Sequence, residues 1–118
     1  MHFHSPSEHT IDGMSSTLEV HFVYADSYTH QPGAVLAVLF YVTDDIGGFG
    51  DTGHNELLND ISPDFVDDDD RHTENIMMGT FFSQLNLTAF YYYDGSFTTP
   101  PCTEGIKWFV STNILTIS

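Results

Sequence analysis

From Leu18 to Ala25 apolar and polar side chains alternate, with Leu18, Val20, Phe22 and Tyr24 on one side and Glu19, His21 and Val23 on the other. A period of two predicts a β-strand with a core face and a chemically different face. Residues 34–42 are apolar without interruption, as in a strand buried on both faces at the centre of a sheet. Residues 1–4, 8–11, 85–93, 106–110 and 113–117 read as further short strands, with Phe81 and Phe82 returning to strand-like composition. Pro6, Asp12-Gly13, Pro32-Gly33 and Asp94-Gly95 punctuate them as breaks and turns. Residues 43–53 read as a loop, and the apolar spacing of residues 54–61 predicts a short helix ahead of Ser62-Pro63. No repeat or linker divides the chain, so the pattern predicts one mainly β domain.

The chemically different face carries histidine. In an extended strand His2 and His4 share a side, as do Glu19 and His21. Two such strands laid together bring three imidazoles to one point, the ligand set of a catalytic zinc site with its fourth position open. A carboxylate two residues before His21 strengthens this, because metal-bound histidines give their second ring N–H to a carboxylate or carbonyl. Taken alone, His2-Phe-His4 reads rather as a solvated strand end or simple composition. Thr98-Thr99-Pro100-Pro101 is a second unusual stretch, in which two prolines fix an extended backbone just after two hydroxyls. By itself it reads as a stiff surface loop.

Composition narrows the partners. Seventeen acidic residues against Arg71 and Lys107 give a formal charge of −15. Nucleic acid, which needs clustered Lys and Arg, is excluded on this ground, and an anionic membrane surface is disfavoured. No apolar run is long enough to span a bilayer. The 41% hydrophobic content argues for a packed domain over disorder. The one cysteine, Cys102, leaves no internal disulfide. Asp67 to Asp70 reads as a solvated acidic loop, because the glycine and alternating ligands of a calcium-binding loop are missing. Asn86-Leu-Thr88 is a formal glycosylation sequon. None of these features assigns a compartment.

Read together, His2-Phe-His4, Ser5-Pro-Ser-Glu8-His9-Thr10, Leu18-Glu19-Val-His21 and the stretch from Tyr93 through Thr98-Thr99-Pro100-Pro101-Cys102 to Trp108 resemble the α-class carbonic anhydrases. The resemblance implies a twisted, mostly antiparallel central sheet with short helices and long loops, and zinc at the base of a conical cleft. It implies His2, His4 and His21 as ligands of Zn2+. Thr98 is then similar to the gatekeeping threonine that donates its proton to Glu8, and Thr99 to its neighbour facing substrate. Glu19 stands behind His21, and His9 and Tyr93 fall in a hydrogen-bond network behind the site. Val23, Val35, Phe97 and Trp108 form the apolar wall for CO2, Phe97 being bulkier than the family's usual leucine. The implied reaction is zinc-dependent, reversible hydration of CO2 to bicarbonate, open to sulfonamide and anion inhibitors. Ester hydrolysis by the same zinc chemistry, or a module that holds zinc without turnover, are the alternatives.

The departures are informative too. Family members are usually longer, so residues 1–118 read as the central part of a domain, with association through exposed sheet edges expected. The acceptor residue that the family places before the first ligand, and its upstream proton-relay histidine, have no counterpart here. No role as proton shuttle falls to His30, His54 or His72. In members with the Thr-Thr-Pro-Pro-Cys form the cysteine pairs with one near the N-terminus, so Cys102 reads as an orphan. That form is frequent in secreted, periplasmic or organelle-lumen members.

Overall fold

The computed structural model describes residues 1–29, 31–42, 82–83 and 85–117. The expected helix at 54–61, the acidic run at 67–70, and His30, His54 and His72 lie outside them. The described chain is mainly β, as the pattern predicts. Its strands are β1 (His2–His4), β2 (Thr10–Ile11), β3 (Met14–Ser15), β4 (Leu18–Ala25), β5 (Pro32–Val42), β6 (Phe90–Ser96) and β7 (Glu104–Ile117). Five of these form one sheet in the order β1-β4-β5-β7-β6, and β2 and β3 form a separate hairpin. The hairpin turns on Asp12 and Gly13, both with positive φ (51° and 80°), the backbone that a tight two-residue β-turn demands.

Pairing in the large sheet is antiparallel except between β5 and β7, which run parallel at its centre. The uninterrupted apolar run occupies β5, and Val35 through Phe40 are buried. Strand alternation then divides the core in two. On one face Val20 and Phe22 of β4 meet Leu36, Val38 and Phe40 of β5 and Leu115 of β7. On the other, Val35, Ala37 and Leu39 of β5 meet Ile106, Trp108 and Val110 of β7. The second face also carries the histidines.

Several expectations are corrected. Residues 106–110 and 113–117 belong to one strand, β7, which bulges between Ala37↔Val110 and Leu39↔Ile114, where Val38 of β5 faces Ser111, Thr112 and Asn113 of β7. Ser111 satisfies the bulge from inside: its Oγ donates to the Asn113 carbonyl (3.2 Å) and accepts from the Asn113 N–H (3.1 Å). These polar residues resemble a strand break in sequence but sit inside a continuous one.

The strand expected at 85–93 is displaced. Asn86 to Ala89 forms a turn, the Asn86 Oδ1 accepting from the Thr88 N–H and hydroxyl, and Leu85 is buried against the first core. Asp94-Gly95 is no turn but lies within β6, paired with Lys107 and Ile106. Glycine is needed there for space, because a Cβ at Gly95 would stand 2.8 Å from Tyr93 Cε2 and 3.2 Å from Trp108 Cδ1. Finally, Pro32-Gly33 opens β5 instead of closing the preceding connection.

Candidate metal centre

The register of β1 on β4 builds the site. His2 pairs with His21, and His4 pairs with Glu19. Directly opposed residues share a face, so the side chains of His2, His4 and His21 converge, with ring centroids 4.5 to 5.1 Å apart. His21 Nδ1 lies 3.2 Å from His2 Nε2. His4 Nε2 is buried without a hydrogen-bond partner, and the Glu8 Oε2 at 3.6 Å is beyond hydrogen-bond reach. Burial, with His21 and His4 alongside, lowers the pKa of His2 and keeps it neutral.

Behind the cluster stands Glu19, fully buried beside the nearly fully buried His21. Glu19 Oε1 accepts from His21 Nε2 (2.6 Å) and His9 Nδ1 (2.5 Å), and Oε2 accepts from the His9 backbone N–H (2.8 Å). Burial by itself pushes this carboxyl upward, but the hydrogen bonds from His21 and His9 outweigh it and hold Glu19 well below the usual carboxylate range. The chain of donors fixes the tautomers. Tyr93 O–H donates to His9 Nε2 (2.7 Å), His9 donates from Nδ1, and His21 donates from Nε2. His21 Nδ1 is therefore left as a bare lone pair facing the cluster. Burial, with Glu19 and Glu8 nearby, raises the Tyr93 pKa and so keeps its O–H a donor.

These features fit a metal ion on chemical grounds. The donor atoms of His2, His4 and His21 all lie within 4.8 Å of one another. Nitrogens bound tetrahedrally to zinc at ~2.0–2.1 Å stand ~3.3 Å apart, close to the 3.2 Å between His21 Nδ1 and His2 Nε2. A buried unpartnered Nε2 and a bare Nδ1 are what a cation would satisfy. His9, Glu19 and His21 are also close enough to ligate, but their donor atoms are already spent on one another.

The Thr98–Glu8 pair comes from loops. Thr98 Oγ1 donates to Glu8 Oε2 (2.9 Å) across 90 residues of sequence. Two backbone bonds hold the threonine loop: Phe97 N–H to Thr103 C=O, and Cys102 N–H to Thr99 C=O, each 2.9 Å. Thr98, Thr99 and the free thiol of Cys102 are exposed. Trp108 anchors the loop's base, its Nε1–H donating to the Ser96 carbonyl (3.0 Å).

Of the expected apolar wall, Val35, Trp108 and partly buried Phe97 pack in one cluster. Val23, Val35, Trp108 and Tyr93 follow one another across the sheet in a single register row. Val23 is 36% exposed at the open end of that row. Trp108 also packs edge-on to His21 at 4.8 Å and stacks on Tyr93 at 6.0 Å. Reading by residue type missed Ser7, Ser16 and Ser96, which act through backbone hydrogen bonds. Only Ser7's place immediately before Glu8-His9 was a signal.

Comparison with known proteins bears on this arrangement. Residues 1–118 match the family described as eukaryotic-type carbonic anhydrase. The chain is similar to carbonic anhydrase Nec1 of Nesocodon mauritianus, 31% identical over 118 residues, covering 99% of this chain and 41% of Nec1. Dioscorin DB3S of Dioscorea polystachya is 36% identical over 118 residues, covering 100% of this chain and 41% of the dioscorin. The chain thus spans less than half the length of these relatives. Among solved structures, the α-carbonic anhydrase of Thermovibrio ammonificans in complex with sulfanilamide superposes with a TM-score of 0.70 at 29% identity, covering 99% of this chain and 47% of that one.

Proposed function

The chain belongs to the eukaryotic-type carbonic anhydrase family, and we propose that its histidine cluster holds Zn2+ for the reversible hydration of CO2 to bicarbonate. The observation that carries this reading is the meeting of three imidazoles, one with a buried unpartnered nitrogen, beside a threonine hydroxyl committed to a carboxylate. Zinc, when bound, supplies a Lewis acid that generates a nucleophile from water near neutral pH, lowering its pKa to ~7.

The chain's own residues do the rest. Glu19 holds His21 in the tautomer whose Nδ1 is free to ligate, and His9 and Tyr93 hold Glu19. An ionised Glu8 only accepts hydrogen bonds, so the Thr98 proton is spent on it. Thr98 Oγ1 can then only accept, and it orients a nucleophile that offers its proton, turning a lone pair toward substrate. CO2 has no net dipole, and Val35, Trp108 and Phe97, with Val23 beside Val35 on the next strand, are an apolar receptor suited to it. Thr99, exposed beside Thr98, is the residue we assign to face substrate or product. Sulfonamides and small anions are the expected inhibitors, sulfanilamide being the ligand of the related Thermovibrio structure.

Zinc stoichiometry on purified protein, paired with stopped-flow CO2 hydration, tests the reading. One zinc per chain is expected, with zinc and hydration both lost in His21→Ala. The loss of zinc affinity should exceed the ~10–100-fold typical of removing a residue behind a ligand. A folded protein that takes up no zinc overturns the proposal. Zinc without hydration would favour the second reading, a zinc-holding module, for which the observation is that a relative at 36% identity is named dioscorin and not carbonic anhydrase.

A further inference from the structure

Glu8 and His9 are neighbours in sequence, yet they reach different partners at the histidine cluster, one Thr98 and the other Glu19 and Tyr93. Neither lies in a strand, so the ladder that fixes Glu19 and His21 does not fix them. Ser7 supplies the constraint instead. Its N–H donates to the Ser16 carbonyl (3.0 Å), and its Oγ accepts from the Ser16 N–H (2.8 Å) while donating to the His9 carbonyl (2.7 Å). Ser7 and Ser16 are both buried, so that hydroxyl meets protein groups and not bulk solvent.

The His9 peptide is thus held at both ends, its carbonyl by Ser7 Oγ and its N–H by Glu19 Oε2. The Glu8 backbone is pinned between two anchored residues. From these contacts we infer that Ser7 is a positioning residue for the site, its single hydroxyl setting the places of Glu8 and His9 together. The inference rests on the reading above for what Glu8 and His9 do, but its geometry does not. Alanine at Ser7 leaves the buried Ser16 N–H and the partly buried His9 carbonyl without this hydroxyl as their partner. Threonine keeps the hydroxyl.

Amide hydrogen exchange on the 15N-labelled 118-residue chain tests this, with Ser7→Ala and Ser7→Thr compared to the unaltered protein. The diagnostic amide is that of His9, which bonds Glu19 and not Ser7. In Ser7→Ala its exchange should quicken by about tenfold or more while Val38 and Leu39 in β5 keep their protection, and Ser7→Thr should restore it. In the zinc-loaded protein, hydration by Ser7→Ala should fall in kcat with KM unchanged. Equal loss of protection at His9 and throughout β5 would make Ser7 a general structural residue and overturn the inference, as would an unchanged His9 amide. Absence of CO2 turnover in the unaltered protein would bring down the functional reading alone, and the His9 amide would still decide the role of Ser7.

Discussion

Glu19 and Glu8 each accept a hydrogen bond at the histidine cluster, but they are held there by opposite means. Glu19 lies in β4, its place set by pairing with His4 on one side and Leu39 on the other. It is fully buried and accepts three hydrogen bonds. Glu8 lies in a loop, is exposed, and accepts one hydrogen bond from another exposed loop residue, Thr98. The strand-borne carboxylate is therefore part of what holds the sheet together, whereas the loop-borne pair can be changed with little consequence for folding. A ladder fixes a side chain through many residues at once, and a loop fixes it through a few named bonds.

The strongest way to break this comparison is Thr98→Ala. Under the proposed function, CO2 hydration should fall by ~100-fold or more, while zinc content holds and stability stays within about 0.5 kcal/mol. A matching loss of zinc or of thermal stability would show the loop to be as structural as the strand. Glu19→Gln reverses the pattern. An amide NH2 in place of one oxygen sets a donor against a buried donor, at a cost of ~1–3 kcal/mol, and zinc affinity should weaken by ~10–100-fold. Chemical denaturation and zinc competition measure the two effects. Unchanged stability would remove the distinction between the two carboxylates.

The smallest effect concerns the strand-borne relay at alkaline pH. With its pKa raised, Tyr93 stays protonated in the fold beyond the unfolded value of 10.0. Its contribution to stability is therefore complete below that value and lost as pH rises through the folded one. Difference absorbance against Tyr93→Phe should show one phenol ionising late, and the variant's stability should vary less with pH above 10.0. A phenol with an ordinary titration would separate Tyr93 from the Glu19 network.

The same contrast explains what could be read from sequence. His2, His4, Glu19 and His21 were legible because alternation assigns strand side chains to faces, and one-residue slips would send all of them to the wrong side. The central β5 was legible from its unbroken apolar run. The bulge in β7 was not, because Ser111, Thr112 and Asn113 look like a loop until the hydrogen bonds between Ser111 and Asn113, and from Thr112 to Ala89, are seen. Gly95 reads as a turn residue for the same reason, since the rings that require its missing Cβ come from Tyr93 and from Trp108 on another strand. Ser7 acts through backbone groups at Ser16 and His9, which residue types do not announce. The pairing of Thr98 with Glu8 was accessible only through family resemblance.

The parallel contact between β5 and β7 also governs the order in which the molecule comes together. An antiparallel neighbour such as β4 can close onto β5 over a short connection, but β7 must return from some seventy residues downstream, Ala34 meeting Lys107. The contacts of Thr98 with Glu8 and of Tyr93 with His9 span 90 and 84 residues. Closing such long loops has an entropic cost that nearby contacts escape, and chains rich in them fold slowly. The β1–β4–β5 part, with its three histidines, is local enough to form early. The threonine loop and Tyr93 reach the site only through these long-range contacts, so joining the two halves of the site is expected to be a late step of folding.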